Sequence, residues 1–358
     1  MRIALLNLTL DSNYGGNLQR YALVKVLQGM GHEVEHLSMH YVPRITPFGK
    51  VKWYIKRIVK KVLIDHSLPL SWKQDYLQVD ERRCLAAKPF YEKYIPHTPA
   101  IHEKKELGSY LDYDAYIVGS DQVWRPFMTW SYGISTYFFN FLPSTNKARR
   151  IAYGVSTGIA ENVFDDIQIS ELGEYYKSFY AVSVRERSML DLFKKYGWTS
   201  PEAQLVLDPT LLLDRQDYEQ IIRENDTNPS EGNMFCYILD PTPEKTEEVK
   251  QIAKEKGLKP FFQIGCMAAD SMSIPQWLRS FQDAEYIYTD SFHGLVFSLI
   301  FQKPSTVKFN KHRGNARFET IVSTLKLNLQ DSQRDWHQIE QACLQAKKKS
   351  IDFLTDNL

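Results

Sequence analysis

Short apolar runs alternate with helical patterns along the first part of this chain. Residues 3–8 form a continuous apolar run of strand length, residues 18–29 carry apolar positions at helical spacing, and residues 33–37 form another short strand. Uninterrupted apolar strands are typical of parallel sheets that helices cover on both faces. The chain therefore opens with a strand–helix–strand unit. The same pattern predicts four more strands, at 115–118, 151–155, 179–184 and 203–207.

A second series of strands and helices begins at residue 234. It has predicted strands at 234–239, 260–263, 284–288 and 306–309, and predicted helices at 244–256, 295–301 and 318–325. Residues 224–233, between the two series, are polar and contain proline and glycine, which is typical of a linker. We therefore predict an α/β protein with two Rossmann-like domains facing a cleft.

The domain limits follow from the position of this linker. Residues 1–225 are predicted to form an N-terminal α/β domain, and residues 233–330 are predicted to form a C-terminal one. Residues 335–358 have the pattern of a last helix, which can pack back on the first domain. Residues 49–64 do not fit the alternating series and are predicted to be an insertion in the first domain.

The composition excludes several classes of function. At 358 residues the chain is long for one core, and its 43% apolar and 24% charged residues are ordinary for a globular protein. The net charge of +1 gives no overall field that would recruit nucleic acid, so we expect no such partner. The four cysteines lie far apart without metal-ligand spacing, and we predict no metal site. The 21 tyrosines and 19 phenylalanines indicate either stacking surfaces for sugars or an aromatic core.

The chain shows no pattern of a signal peptide or a membrane span. Residues 1–8 lead directly into the first strand, and no window has about 18 uncharged apolar residues. We therefore expect a cytoplasmic protein. In the insertion 49–64, however, basic residues alternate with an apolar stripe at helical spacing. Such a helix either packs on the first domain or lies on the anionic inner membrane surface, which would make the protein peripheral there.

Residues 290–294 (DSFHG) hold the best candidate for chemistry. They lie between two apolar runs, where a strand gives way to a helix, and open α/β sheets bind ligands at such places. The unpaired N–H groups of a helix start favour an anion. His293 can exchange a proton near pH 7 without a large change in its surroundings. We expect His293 in the active site, although a histidine beside an apolar helix can also be structural.

The loop after the first strand is the second candidate. Gly15 and Gly16 allow a ligand to approach the backbone closely, and the helix that follows Asn17 favours an anion. A tight turn without a ligand explains the same residues. The loop is not GxGxxG, and no acidic residue ends the second strand, so NAD binding is not expected. We assign Asn13, Gly15, Gly16 and Asn17 to an acceptor or phosphate loop.

Three more candidates follow later strands. Asp121 is either an active-site carboxylate or the cap of the next helix. Arg185 stands at the end of a strand, where a guanidinium can bind a carboxylate or phosphate with two hydrogen bonds. Alternatively, Arg185 forms a surface ion pair with Glu186. Residues 310–318 carry basic side chains just past the last strand, and we expect an anion pocket there.

Taken in order, these segments resemble the polysaccharide pyruvyl transferase family. The matching motifs are YGGNLQRYAL at 14–23, VGSDQVW at 118–124, SVRE at 183–186, LDPTL at 207–211, DSFHG at 290–294, and the pair Arg313-Gly314 and Arg317-Phe318. The likeness covers about residues 1–330. It implies a fold like that of the two-domain GT-B glycosyltransferases, with the acceptor on the first domain and the donor on the second.

The resemblance also implies a reaction. The donor would be phosphoenolpyruvate, the acceptor two hydroxyls of a sugar, and the product a pyruvate ketal in a bacterial surface polysaccharide precursor, with no cofactor. A basic helix on the membrane would suit an acceptor that is linked to a lipid. Ketal formation needs an acid, a base and groups that neutralise the departing phosphate. We expect His293 to transfer a proton or contact phosphate, and Asp121 or Asp290 to deprotonate the sugar.

Phosphoenolpyruvate carries a carboxylate and a phosphate, so its site needs several fixed cations. The residues expected to bind it are Arg185, Arg313, Arg317, Lys311, Ser291 and Gly294. Many members of the family have an arginine two places before the histidine, where this chain has Ser291. We expect Arg313 or Arg317 to replace that cation.

Two other functions fit the same residues. A GT-B glycosyltransferase that uses a nucleotide sugar would share the fold and would need an acidic residue near the donor ribose, for which Asp290 or Glu319 could serve. A non-catalytic protein that binds glycans or anions would also share it. His293 and Arg185 argue against that second alternative.

Overall fold

The computed structural model describes the chain except residues 42, 44–45, 266–270, 310–314 and 330–333. The first sheet consists of parallel strands in the spatial order β2-β1-β3-β4-β5-β6. These strands are β1 Arg2–Leu6, β2 Glu33–His36, β3 Ala115–Val118, β4 Arg149–Val155, β5 Ala181–Val184 and β6 Gln204–Leu205. Each of them overlaps a predicted strand, because its apolar run is long enough to be read from the sequence.

Helices cover both faces of this sheet. The helices of this part of the chain are α1 Tyr14–Gly29, α2 Pro47–Leu63, α3 Trp72–Cys84, α4 Lys88–Tyr94, α5 Asp166–Tyr176, α6 Arg187–Tyr196 and α7 Arg215–Arg223, with 3₁₀ helices at Lys104–Ser109, Ile134–Phe138 and Pro209–Leu212; α2 does not pack on the sheet. The side of the sheet near α5 and α6 buries an aromatic core in which Trp124 stacks on Phe138, with ring centroids 4.3 Å apart. Many aromatic residues are therefore core residues.

The second sheet is also parallel, in the order β10-β9-β7-β8. Its strands are β7 Met234–Ile238, β8 Pro260–Ile264, β9 Tyr286–Thr289 and β10 Ser305–Val307. Its helices are α8 Pro243–Lys256, α9 Ile274–Asp283, α10 Phe292–Ile300 and α11 Ala316–Leu325, followed by α12 Trp336–Asn357. These two parallel sheets confirm the predicted α/β fold class with two Rossmann-like units. In the part of the chain that the structure describes, no helix is long and apolar enough to span a bilayer.

The two sheets share one continuous apolar core. Tyr14, at the start of α1, stacks on Trp277 of α9 with ring centroids 5.1 Å apart, and its hydroxyl donates to Met272 O at 2.9 Å. At the end of the chain, Arg149 Nη1 of β4 donates to Leu358 O at 3.0 Å. The Ser350 hydroxyl of α12 accepts from Leu207 N, just past β6. These contacts fix the first turn of α1 and the end of α12 against their neighbours.

Helix α1 begins four residues earlier than predicted. The Asn13 side chain accepts a hydrogen bond from Gly16 N at 3.1 Å and caps the helix, so the helix starts at Tyr14. The prediction that Gly15, Gly16 and Asn17 form a loop is therefore wrong, because all three lie in the first turn of α1.

Helix α10 also begins earlier, at Phe292 rather than residue 295. His293 and Gly294 consequently lie in its first turn instead of the preceding loop. Gly294 allows a close approach to the end of β9, since a Cβ there would lie 2.0 Å from Thr289 Oγ1. The start of α10 is thus set by contact with its own sheet.

Candidate active site

A cavity of about 600 Å³ lies between the carboxyl ends of the two sheets. Segments that follow β1 and β3 line it from one side, and segments that follow β7 and β9 line it from the other. Helix α1 contributes Gly16, Gln19 and Arg20, and α11 contributes Arg317 and Phe318. Ligands of open α/β proteins bind at this edge of the sheet, so the cavity is the candidate active site.

His293 lines the cavity from the first turn of α10. Its ring packs directly on the backbone of α1, because a Cβ added to Gly15 would lie only 2.0 Å from His293 Nδ1. On its other side, the buried His293 Nε2 lies 3.7 Å from Asp208 Oδ2, which is an ion-pair distance rather than a hydrogen bond. The histidine is therefore held between a glycine and a carboxylate.

Asp208 is the carboxylate that joins the elements around His293. It follows β6 and is buried; its Oδ2 accepts from Gln19 Nε2 at 2.5 Å and from Arg185 Nη1 at 2.7 Å, and its Oδ1 accepts from the Thr210 hydroxyl at 2.7 Å. Burial alone would raise the pKa of Asp208, but His293, Arg185 and Thr210 outweigh it and hold this pKa well below its usual value. Asp208 is thus ionised beside the histidine.

Arg185, at the end of β5, is surrounded by carboxylates. Its Nη2 donates to Asp121 at 2.5 Å, its Nη1 donates to Asp208, and its Nε lies 3.8 Å from Glu186 Oε1. The alternative of a surface ion pair with Glu186 is wrong, because both side chains are buried. Burial would lower the pKa of the guanidinium, but Asp121 and Asp208 raise it above its usual value. Arg185 therefore organises the carboxylates of the site.

Asp121 does not cap a helix, since turns and the 3₁₀ helix Ile134–Phe138 follow it in the described chain. It has a φ of 79°, an uncommon backbone conformation for a residue with a side chain. Burial would raise the pKa of Asp121, but Arg185 and Arg317 lower it below its usual value. Arg317 Nη1 lies 3.9 Å from the same carboxylate and also lines the cavity. A depressed pKa makes Asp121 a weak base.

Asp290, the other predicted base, is occupied by local partners. Its Oδ1 accepts from Leu239 N at 2.6 Å, and its Oδ2 accepts from Asp240 N at 3.1 Å and Lys245 Nζ at 2.5 Å. These bonds tie the end of β9 to the turn between β7 and α8. Asp290 lines the cavity, but its hydrogen bonds favour a structural role.

The remaining predicted residues lie at different distances from the cavity. Asn13 and Gly16 line it, as does Ser291, whose N–H donates to Thr289 Oγ1 at 3.1 Å. Asn17 is buried and accepts a hydrogen bond from Arg20 Nη1 at 2.8 Å. Gly294 packs on the sheet, as described above. Lys311 and Arg313 lie outside the described residues.

Asp11 and Arg20 are among the charged residues of the cavity that the sequence patterns did not indicate. Asp11 follows β1, and its Oδ1 accepts from Asn13 N at 2.9 Å. Arg20 is buried; its Nε donates to His36 Nε2 at 3.0 Å and its Nη2 donates to Leu8 O at 3.1 Å. Arg20 lies in the motif YGGNLQRYAL and Asp11 lies just before it, so this motif was the sequence signal that could have identified both residues. Asp208 likewise lies in the LDPTL motif, which had no role assigned.

One group of potential metal ligands lies outside this cavity. Ligand atoms of His40, Asp80 and Cys84 all lie within 4.8 Å of one another. Each already has a protein partner: His40 Nδ1 lies 2.5 Å from Asp80 Oδ2, and the Cys84 thiol donates to Leu10 O at 3.4 Å. Burial raises the pKa of Cys84 to about 12, which disfavours the thiolate that binds metals.

Several solved structures are distantly similar to the whole chain. They include UDP-N-acetylglucosamine 2-epimerases from Rickettsia bellii (9% identity, TM-score 0.46, covering 99% of this chain and 96% of that chain) and Neisseria meningitidis (10% identity, TM-score 0.46, covering 100% of both). MurG from Acinetobacter baumannii has 10% identity and a TM-score of 0.41, covering 99% of both chains. No curated protein sequence matches this chain.

A match to one protein family identifies this chain more specifically than these structural similarities do. The model of the family described as polysaccharide pyruvyl transferase matches residues 13–308. This range extends from the cap of α1 to just past β10 and contains the His293, Asp208 and Arg185 cluster. The match extends over most of the chain, and ion pairs link Arg185 and Asp208 of two of its motifs to Asp121 and His293 of the cavity. The chain therefore belongs to the polysaccharide pyruvyl transferase family.

Proposed function

We propose that this transferase moves the enolpyruvyl group of phosphoenolpyruvate onto two hydroxyls of a sugar in a bacterial surface polysaccharide precursor. The observation that carries the proposal is that His293, which lines the cavity, is held between Gly15 and the Asp208–Arg185 ion pair in a chain of this family. The cavity of about 600 Å³ has room for both a donor and a sugar ring.

The reaction balances without a cofactor. Two C–O bonds form between C2 of the donor and the two sugar oxygens, and the C2–O bond to phosphate breaks. One hydroxyl proton ends on the donor's methylene carbon, which becomes a methyl group, and the other ends on phosphate. Positive charge develops at C2 as the methylene takes its proton, and negative charge develops on the leaving phosphate.

His293 is the residue that we assign to proton transfer. The buried, ionised Asp208 can stabilise positive charge on the imidazole when it carries a proton, much as a carboxylate stabilises an imidazolium in hydrolase triads. Asp208 also fixes the position of Arg185, so the histidine and the cation are aligned by one side chain. The first turn of α10 adds helix N–H groups beside the histidine, which favour an anion.

The donor contacts are a separate part of the proposal. We assign phosphoenolpyruvate to Arg317 and Ser291, which line the cavity, and to Arg313 and Lys311 as the sequence predicts. Arg185 contributes through the carboxylates that it orders. Because Arg313 is assigned in place of the missing arginine at position 291, Arg313→Ala should raise the KM for phosphoenolpyruvate. An unchanged donor KM would remove Arg313 from the site.

The nucleotide-sugar alternative has less support. It needs an acidic residue for the donor ribose, and Asp290 is occupied by two backbone N–H groups and Lys245. Glu319 is exposed on α11 and is not among the described residues that line the cavity. Thermal stabilisation by phosphoenolpyruvate, but not by UDP or GDP sugars, would separate the two functions.

The direct test is acceptor-dependent phosphate release. Phosphoenolpyruvate is incubated with galactosides, glucosides and N-acetylmannosaminides, using the wild type and His293→Ala. Acceptor-dependent release that the variant loses, with a product heavier by one pyruvyl unit, is the expected result. His337→Ala, in the first turn of α12, is the matched control and should retain activity. Absence of release with every acceptor, together with no stabilisation by phosphoenolpyruvate, would refute the proposed reaction.

We propose in addition that the acceptor is linked to a lipid and that helix α2 lies on an anionic membrane. Among the described residues, the side-chain polar contacts of helix α2 with the rest of the protein lie along one stripe of the helix. Trp53 Nε1 donates to Asp75 Oδ2 at 3.1 Å, Arg57 pairs with the same carboxylate, and Lys61 Nζ donates to Leu68 O at 2.8 Å. These three residues are one helical turn apart, so they define the face that the protein holds.

The opposite face of α2 is apolar and exposed. The structure describes every residue of α2, and none of them is buried. The exposed apolar residues on this face are Phe48, Val51, Ile55, Ile58, Val59 and Val62. A helix of a globular protein normally turns its apolar stripe to the core. Lys52 and Lys56 flank the stripe, and this combination is typical of helices that bind anionic lipid surfaces.

Helix α3 connects this surface with the cavity. Asp75, which holds α2, and Arg83, which lines the cavity, are both on α3, eight residues or about 12 Å apart. A membrane that contacts α2 would thus lie close enough for a lipid-linked sugar to enter the cavity. This distance is the reason for assigning a lipid-linked acceptor.

Vesicle binding tests the membrane proposal. We expect the wild type to co-sediment with vesicles that contain phosphatidylglycerol and to bind neutral phosphatidylcholine vesicles at least about tenfold more weakly. Replacing Ile55 and Ile58 by glutamate should abolish binding, whereas Ile167→Glu, at an exposed apolar residue of α5, should not. If the double variant binds as the wild type does, α2 is not the membrane surface.

A further inference from the structure

Three aromatic side chains form a wall on one side of the cavity. Tyr41, Phe127 and Trp130 all line it. The rings of Tyr41 and Trp130 meet edge to face with centroids 5.4 Å apart, and the Arg83 guanidinium lies 4.5 Å from the centroid of the Tyr41 ring. Phe127 is 76% exposed, although most other aromatic residues of this half of the chain are in the core. An exposed ring beside a cavity is typical of a ligand surface.

The same part of the cavity has a carboxylate, Asp11, that accepts no hydrogen bond from a cationic side chain in the described part of the chain. Asp11 Oδ1 accepts from Asn13 N, while Oδ2 lies 3.9 Å from Arg83 Nη2, beyond hydrogen-bond length. Burial raises the pKa of the Asp11 carboxyl, although Asn13 and Arg83 act against it. Asp121 and Asp290, by contrast, accept short hydrogen bonds from cations. Asp11 therefore differs from both carboxylates that the sequence favoured.

We propose that this wall is the acceptor subsite: a hexose ring stacks on Trp130 and Tyr41, and Asp11 accepts a hydrogen bond from its reacting hydroxyl and removes the proton. The inference rests on the proposed function for the chemical step, but not for sugar binding. A pyranose presents C–H bonds on its face and hydroxyls at its rim. The C–H face suits the negative face of an aromatic ring, and a rim hydroxyl suits a carboxylate.

The proton balance assigns a separate role to each group. Asp11 takes the proton of the first hydroxyl as its oxygen bonds to C2, and passes it to the departing phosphate. His293 gives a proton to the methylene carbon and regains one from the second hydroxyl as the ring closes. Both residues thus return to their starting states.

Sugar binding can be measured without any donor. Saturation-transfer NMR and titration with methyl galactoside, methyl glucoside and methyl N-acetylmannosaminide report affinity for the full chain. Trp130→Ala should weaken binding of the sugar that binds best by about 5–10-fold, since one stacked ring is lost, and Trp130→Phe should stay within about threefold. Phe262→Ala removes an exposed ring on β8, outside the wall, and should change nothing.

A fold defect would be recognised independently. Phe127→Ala removes a side chain that is mostly exposed, so it should weaken sugar binding without unfolding the protein. Thermal stabilisation by phosphoenolpyruvate should be the same in Trp130→Ala, Phe127→Ala and the wild type, because the wall does not include the donor residues. Unchanged sugar affinity in both variants would overturn the assignment of the wall.

Asp11→Asn tests the catalytic part. The amide keeps the acceptor for Asn13 N but cannot take a proton, so kcat should fall about 100-fold or more, with sugar affinity within about threefold. In the wild type, kcat/KM should rise with pH as Asp11 ionises, and this ascending limb should be missing in the variant. Retention of the limb would show that another group is the base.

The outcomes separate this inference from the proposed function. If no acceptor supports pyruvyl transfer but Trp130→Ala still loses sugar binding, the subsite stands and the reaction is wrong. If transfer occurs and Trp130→Ala has the wild-type acceptor KM and affinity, the reaction stands and the subsite is wrong.

Discussion

Replacing Gly15 by alanine tests whether α1 sets the position of His293. A Cβ at residue 15 would lie 2.0 Å from His293 Nδ1, and ordinary van der Waals contact begins at 3.4 Å. The ring or the helix must therefore shift by roughly 1 Å, and a misplacement of this size costs about 100-fold in kcat. Overpacking costs about 1–3 kcal/mol of stability, which the better helix propensity of alanine offsets by about 1 kcal/mol. The activity loss should thus be much larger than the stability loss.

The assay compares kcat for acceptor-dependent phosphate release with the free energy of unfolding in urea. Gly29→Ala is the matched control, because it makes the same change at the end of the same helix, where an added Cβ meets no described atom within 4 Å. We expect wild-type kcat and equal or higher stability for this control. Wild-type kcat in Gly15→Ala would refute the argument, and so would an equal loss in both variants.

Three further predictions concern the buried charges and the core between the sheets. Arg185→Met leaves the buried Asp208 and the partly buried Asp121 without the guanidinium that bridges them and should cost about 3–5 kcal/mol of unfolding free energy, whereas Arg279→Met at a partly exposed ion pair should cost about 1 kcal/mol or less in the same urea titration. Because its neighbours depress the pKa of Asp208, the wild-type carboxylate stabilises the fold above its unfolded pKa of about 3.9, and this stabilisation is lost as pH falls further. Asp208→Asn should therefore be less stable at pH 7 and lose less stability below about pH 4; equal pH dependence of both proteins would contradict this. Tyr14→Ala removes the ring that stacks on the second sheet's core and should cost about 3–5 kcal/mol by calorimetry, and a loss below 1 kcal/mol would show that this stack is unimportant.

The sequence contained enough information to predict the strands and to predict that several candidate residues would meet at one edge of the sheets. A buried parallel strand is a continuous apolar run, so each described strand overlaps a predicted one. Side chains that follow such strands must meet at the carboxyl edge of a sheet. Asp121, Asp290, His293 and Arg317 accordingly line one cavity, although 196 positions separate the first from the last.

The helix starts were harder to predict, because the cap and not the apolar pattern determines them. Gly15 and Gly16 look like loop residues by composition, yet the Asn13 cap places them in the first turn of α1. The reason for a glycine at 15 is the His293 ring, which comes from the other end of the chain. No local pattern contains that contact.

The tertiary structure alone decided which charged groups are available for chemistry. Arg185 lies 64 positions from Asp121 and 23 from Asp208. The sequence could not show that both carboxylates accept hydrogen bonds from its guanidinium. The same holds for α2: its basic amphipathic pattern was visible, but only the fold shows that its apolar face is turned to solvent. The periodicity of a sequence shows which side chains share one face of a helix or strand. Whether those side chains form ion pairs or become buried depends on which other elements the fold places against that face.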